Sequence, residues 1–299
     1  MNNLSDHIIN KKSDRIPVWF MRQAGRYLPE FRDIRKKNKD FVKLCLNSKL
    51  VKEITIQPIN RFDLDAAIIF SDILMIPYGL GQSVKFVKGE GPILGEFNIE
   101  SIQRLEPKKF VEKMQPVYNS IKEVKKSIKN KSCIGFVGAP WTLLIYMLNK
   151  KSPKKKLNLD LVLQNKSLVN TLLRKIESYT CLHIKEQVKA GADIIQIFDS
   201  WAGLIPNKNL ETYCFEPNFK IVKHTKTLGV PIICFPRGIR SNYSNFCKLV
   251  KPDCINIDYE IKPEWAKKNL KDITIQGGLD PKVLLGNREV LEKEVKKYI

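Results

Sequence analysis

Seven short apolar runs recur along the chain, at 16–21, 66–70, 133–137, 194–198, 230–235, 254–257 and 273–275. Each is followed by residues able to bind or transform a charged ligand. The first run leads into Arg22-Gln23-Ala24-Gly25-Arg26-Tyr27 and the second into Ser71-Asp72. The third leads into Gly138-Ala139-Pro140-Trp141-Thr142, with Tyr146 shortly beyond, and the fourth into Asp199-Ser200-Trp201. Pro236-Arg237-Gly238, Asp258 and Gly277-Gly278-Leu279-Asp280-Pro281 close the series. Guanidinium groups grip carboxylates two-pronged and stay charged at any working pH. Arg22 and Arg26 in one loop therefore suit an anionic ligand, the plain alternative being two surface salt bridges. Asp72 could hold a metal, act as a base, accept N–H bonds from a ligand, or cap a loop, and Asp199 and Asp258 carry the same alternatives. None of these loops holds a histidine. His7, His183 and His224 fall in the N-terminal stretch or on helices, which moves Ser-His-Asp, Cys-His and histidine-zinc chemistry out of the front rank.

The elements that must position these residues follow from the pattern between them. The apolar runs are rich in Ile, Val and Phe without clean alternation, the mark of parallel strands covered on both faces. Phe110, Val111, Met114, Val117, Tyr118, Ile121, Val124 and Ile128 share one helical stripe, with Pro116 placed to kink it. Leu168, Leu172, Ile176, Tyr179 and Val188 make a second stripe that Gly191 can end. Shorter helices are expected near 48–62, 217–227, 243–250 and 262–270, and segment 75–106 is expected to be an insertion carrying a hairpin. Repeated strand–helix units imply right-handed crossovers. Seven of them favour a (β/α)₈ TIM barrel over a doubly wound sheet, and the active site then sits at the strand C-termini. A doubly wound sheet would carry a phosphate-binding glycine fingerprint after its first strand. Gly89-Glu90-Gly91-Pro92-Ile93-Leu94 follows no clear strand and reads as a turn. No repeat or linker divides the chain, so 1–299 is expected to form a single barrel domain.

Composition narrows the classes further. Lys and Arg total 52 against 31 Asp and Glu, a formal charge of +21. That balance suits nucleic acid, a polyanionic small molecule, or a surface with no specific partner. The lysines are spread along the chain, with runs at Lys150-Lys151 and Lys154-Lys155-Lys156, and no basic stripe interleaves with aromatics. This argues against nucleic acid. No apolar run reaches membrane-spanning length, and no apolar signal core opens the chain, so a cytoplasmic protein is expected. The seven cysteines include no C-x-x-C pair. They read as reduced, buried thiols, not as a disulfide framework or a four-cysteine zinc site.

The stretch Pro17-Val18-Trp19-Phe20-Met21-Arg22-Gln23-Ala24-Gly25-Arg26-Tyr27-Leu28-Pro29-Glu30-Phe31 resembles the N-terminal signature of the uroporphyrinogen decarboxylase family. Phe70-Ser71-Asp72-Ile73, Gly138-Ala139-Pro140-Trp141-Thr142-Leu143, Phe198-Asp199-Ser200-Trp201-Ala202-Gly203 and Gln276-Gly277-Gly278-Leu279-Asp280-Pro281 follow in the family's order. The resemblance implies a (β/α)₈ barrel, a homodimer, no metal and no organic cofactor. It implies conversion of the four acetates of uroporphyrinogen to methyls, giving coproporphyrinogen. Asp72 would hold the pyrrole N–H groups. Arg22, Gln23 and Arg26 belong to the substrate-binding loop, with Arg22 also a proposed proton donor, and Tyr146 and Ser200 would touch the substrate.

The chain departs from that pattern at its end. The family's last strand carries a Gly-His-Gly segment that occurs nowhere in this sequence, so the expectation is a barrel whose last strand is missing from the chain. Two rival readings stand beside it. One is the related corrinoid-linked methyltransferase barrel, which needs a zinc-thiol site of His and Cys. The other is an inactive tetrapyrrole-binding relative.

Overall fold

The computed structural model describes residues 4–10, 15–153, 162 and 164–298. The lysine run 154–156 lies outside them. The strands are β1 Ala66–Ile68, β2 Val84–Val87, β3 Gly91–Leu94, β4 Ser132–Gly138, β5 Ile194–Asp199, β6 Ile232–Pro236, β7 Cys254–Ile257 and β8 Thr274–Gly277. Six of them make one parallel sheet in the order β1-β4-β5-β6-β7-β8, and β2 and β3 pair as an antiparallel hairpin. That hairpin falls inside the expected insertion, and its connection is the Gly89–Gly91 turn, with both glycines at positive φ.

The two helical stripes become helices Pro107–Ser127 and Lys166–Lys189. The first runs unbroken through Pro116. Helices Ser48–Phe62, Glu216–Lys226, Tyr243–Val250 and Pro263–Asn269 match the shorter expectations. Helices and inserted elements cover the outer sheet face, where Ala67, Cys133, Val137, Ile195, Ile197, Ile232, Cys234 and Ile255 join the main core.

The inner face shows that the sheet is curled. Ala66 and Ile68 on β1, Ile134 on β4, Ile194 on β5, Ile233 on β6 and Cys254 on β7 form one apolar cluster. In a flat sheet β5 and β8 would lie about 14 Å apart, three strand spacings. Yet Gln276 Nε2 on β8 donates to Gln196 Oε1 on β5 at 3.4 Å. Helix Leu4–Asn10 closes the end of the sheet that the strands enter. Its Leu4 and Ile8 pack into the inner cluster, and the Ser5 amide donates to Ser132 Oγ.

One expectation needs correction. The run 16–21 is not a strand: residues 16–20 are extended without a ladder. The Asp65 amide donates to the Val18 carbonyl at 2.9 Å, but the Val18 amide is taken by the Asp65 carboxylate at 2.6 Å. Pro17 has no N–H to offer a neighbouring strand. Arg15 grips the same carboxylate. The expected barrel lacking its last strand is met in its coarser form: the described residues form a curled six-stranded parallel half-barrel with segment 16–20 along one edge.

The plug helix should matter to stability. Ile8 is 3% exposed against the inner cluster, so Ile8→Ala should cost about 2–4 kcal/mol through the cavity it leaves. Urea unfolding checks this; a loss below about 0.5 kcal/mol would mean that the helix does not bear on the core.

Candidate active site

The strand C-termini of the curled sheet gather the polar residues that the sequence singles out. Asp72 sits four residues past β1. Phe70, before it, is fixed by edge-on contacts with Phe31 and Phe41 at ring separations of 5.6 and 5.7 Å. Its amide donates to Thr55 Oγ at 3.0 Å. The Asp72 carboxylate accepts the Leu74 amide at 2.8 Å through Oδ1, and the Asp72 carbonyl accepts from Met75. The residue is thus a loop cap as well as a candidate ligand. Burial pushes its carboxyl up to about 6, while the Leu74 N–H and the Arg22 charge pull the other way. The residue as a whole is partly exposed, and the carboxyl is ionised above about pH 6.

Arg22 and Arg26 are exposed. Neither is within salt-bridge distance of a carboxylate among the described residues, where 13 other pairs are. The loop that carries them is firmly held. Gln23 is buried, taking the Phe20 amide on Oε1 at 3.3 Å and donating Nε2 to the Ala66 carbonyl at 3.1 Å. Its polar atoms are therefore spent on protein backbone, tying the loop to β1. Tyr27 donates its hydroxyl to the Gln23 carbonyl, and Arg32 donates to the Arg26 and Tyr27 carbonyls.

Tyr146 and Ser200 come from the neighbouring strands. Helix Pro140–Asn149 follows β4, with Pro at its first position, where a missing N–H costs nothing. Gly138 leaves no room for a side chain: a Cβ there would stand 2.6 Å from Leu143 and 3.1 Å from Ile73. That close approach folds the β1 loop against the β4 loop. Tyr146 is half-buried, 6.1 Å from the Trp201 ring, with its hydroxyl 3.3 Å from Ser152 Oγ. Ser200 lies beside Trp201 at the end of β5, partly exposed. Trp141 Nε1 donates to the Trp201 carbonyl at 3.1 Å, which ties the two loops together.

The structure separates Asp199 and Asp258 from Asp72. Asp199 is fully buried on the outer side of β5, accepting from Thr142 Oγ1 at 2.7 Å and Asn218 Nδ2 at 3.2 Å. Asp258 accepts the Gly238 and Glu260 amides and the Tyr243 hydroxyl. Both hold loops in place. His183 is buried against Tyr118, its Nδ1 2.9 Å from the phenol oxygen, and burial pushes its pKa down to about 3, so it is neutral. Among the described residues no three His, Cys, Asp or Glu side chains gather as a metal would require, and no helix is long and apolar enough to cross a membrane.

Sequence reading missed a set of inward amides: Gln196 on β5, Asn256 on β7 and Gln276 on β8. Gln276 Nε2 donates to Asn256 Oδ1 at 2.6 Å, and Gln276 Oε1 accepts from Trp19 Nε1 at 3.0 Å. The available signal was one polar residue at an inward position within the runs 194–198 and 254–257 and a third directly after the run 273–275.

A curled parallel α/β sheet with a desolvated carboxylate at its C-terminal mouth, within the field of Arg22, is the architecture of a barrel-type enzyme site. The chain belongs to the uroporphyrinogen decarboxylase (URO-D) family, whose sequence profile matches residues 2–299. It is 39% identical over 295 residues to the uroporphyrinogen decarboxylase of Rickettsia bellii (strain RML369-C), covering 97% of this chain and 87% of that one. It is 38% identical over 303 residues to that of Rickettsia akari (strain Hartford), covering 100% and 89%. A methyltransferase from Methanosarcina mazei shares the fold, with a TM-score of 0.78 at 13% identity, over 99% of this chain and 88% of that one.

The raised Asp72 pKa has a thermodynamic consequence. A carboxyl held at about 6 in the fold and near 3.9 when unfolded stabilises fully below the lower value and loses that stability as pH rises through the upper one. Asp72→Asn keeps an acceptor for Leu74 and removes the desolvated charge. It should raise stability at pH 7.5 by about 1 kcal/mol, discounted for the partial exposure of the residue, with the gain fading towards pH 4. Thermal melts of both proteins at the two pH values decide; an equal difference at each would mean that Asp72 is not strained by burial.

Proposed function

We propose that the chain removes carbon dioxide from the four acetate side chains of uroporphyrinogen III, giving coproporphyrinogen III in tetrapyrrole biosynthesis. The observation that carries this reading is Asp72: a carboxylate desolvated at the mouth of the sheet, in a chain of this family, with an exposed arginine loop beside it. Uroporphyrinogen carries eight carboxylates, which the basic chain attracts. Protonation of a pyrrole carbon makes the ring a cation. The C–C bond to the carboxylate then breaks, its electron pair flows into that cation, and carbon dioxide leaves. A second proton on the exposed methylene gives the methyl, and the ring carbon returns its own.

Asp72 accepts the pyrrole N–H groups and stabilises the cation by charge already in place. It does so only when ionised, so the acid limb of activity should fall near pH 6. Arg22 and Arg26 bind side-chain carboxylates, and Arg22 is a candidate proton donor. Tyr146 and Ser200 line the same mouth. Gln23 belongs to the binding loop as its internal brace, and no cofactor enters the reaction. A homodimer in the cytoplasm completes the reading by family likeness.

We further propose that the half-barrel closes into a full barrel through a covering strand between β8 and segment 16–20. Ile16, Val18 and Phe20 on one side and Ile275 on the other are exposed apolar residues of the kind a covering strand would bury.

The test is an anaerobic assay with uroporphyrinogen III, products being separated by carboxylate number. Wild type should yield products with seven to four carboxylates. Asp72→Asn, still folded by circular dichroism, should lose at least about 10²-fold in turnover, the scale of removing a preorganised electrostatic group. A near-wild-type rate would remove Asp72 from the mechanism, and no product from wild type would remove the function.

A further inference from the structure

The inward amides form a directional relay whose orientation can be fixed from chemistry alone. An indole N–H can only donate. Trp19 Nε1 donates at 3.0 Å to the Gln276 side chain, so the oxygen of Gln276 must face it. The Gln276 nitrogen then faces the other way, where it donates to Asn256 Oδ1 at 2.6 Å and to Gln196 Oε1 at 3.4 Å. Asn256 in turn donates its nitrogen to the Ile257 carbonyl at 3.0 Å. Gln276 is thus the centre of a fork that joins β5, β7 and β8 to segment 16–20. Reversing any one amide would set donor against donor. The packing agrees with this: Gly277, at φ +73°, would bring a Cβ to 3.1 Å from the Asn256 amide.

Trp19 stands three residues before Arg22. The next residue, Phe20, donates its amide to Gln23, which anchors the turn to β1. The arginine loop is therefore braced at two points. Gln23 holds it to β1, and Gln276 holds its approach from across the open side of the half-barrel. We infer that Gln276 is a positioning residue for substrate binding: acting through the Trp19 indole, it sets where Arg22 presents its guanidinium beside Asp72. The inference rests on the reading of Arg22 as a carboxylate ligand. A two-pronged contact depends on sub-ångström placement, so loosening the loop should weaken binding more than the bond-breaking step.

Three variants test it: Trp19→Phe, which keeps a ring and removes the donor, Gln276→Met, which keeps the volume and removes the fork, and the two combined. The relay predicts a KM for uroporphyrinogen III raised about tenfold in each single variant, with kcat within about threefold. The double variant should be no worse than either single one, because both remove the same link. Unchanged KM in folded Trp19→Phe, or multiplying effects in the double variant, would overturn the assignment. A second readout does not need activity. One of the four indole N–H signals in a nitrogen-15 spectrum should exchange slowly with solvent in wild type and quickly in Gln276→Met. An assigned Trp19 indole that exchanges freely in wild type would refute the relay even if the enzyme proved inactive. An inactive wild type with a protected indole would refute the proposed reaction and leave the relay standing.

Discussion

The site depends on a carboxylate placed where water is scarce. Burying an ionised group costs free energy unless something repays it, and Asp72 receives one backbone N–H and the field of Arg22. That incomplete compensation is what makes it useful. Burial alone does not single Asp72 out, since it lifts the hydrogen-bonded Asp199 to about 6 as well; Asp199, however, spends its oxygens on the protein's own donors. A carboxylate facing an apolar wall would lose its charge at working pH. The balance leaves the group charged above about pH 6. The rest of the structure holds this arrangement still: Phe70 locked by Phe31, Phe41 and Thr55, the β1 and β4 loops pressed together over Gly138, and the arginine loop braced by Gln23.

The curl of the sheet makes these contacts possible. It brings β8 within reach of β5 and lets the Trp19 side chain cross the open side, and it gives the plug helix Leu4–Asn10 an apolar floor to cover. Division of labour among the acidic residues follows. Asp199 and Asp258 lie at strand ends like Asp72, yet each is surrounded by the protein's own donors and fastens loops. Of the three only Asp72 is partly exposed as a residue, and the proposed ligand role therefore falls to it.

Strand positions were largely legible because six of the seven apolar runs are parallel strands with continuous Ile and Val. The exception, 16–21, failed for local reasons: Pro17 has no donor, and Asp65 competes for the Val18 amide. The strand-end residues were legible from order alone. Their separation into ligand and brace was not, because the sequence does not show which hydrogen-bond partners each carboxylate meets. Gln23 illustrates this, since its signature position conceals a side chain turned inward. The amides at 196, 256 and 276 were hidden by the same rule that found the strands. One polar residue in or just after an apolar run looks like noise until the curl brings three of them together.

The most direct measurement is of the Asp72 carboxyl itself. Carbon-13 labelling of aspartate, with the Asp72→Asn spectrum identifying its signal, gives a pH titration of that one group in the free protein. An apparent pKa near 6 would establish the desolvated, ionisable carboxylate on which the account rests. A value near the ordinary 3.9 would show a solvated surface group. The site would then have to draw its electrostatic stabilisation from elsewhere.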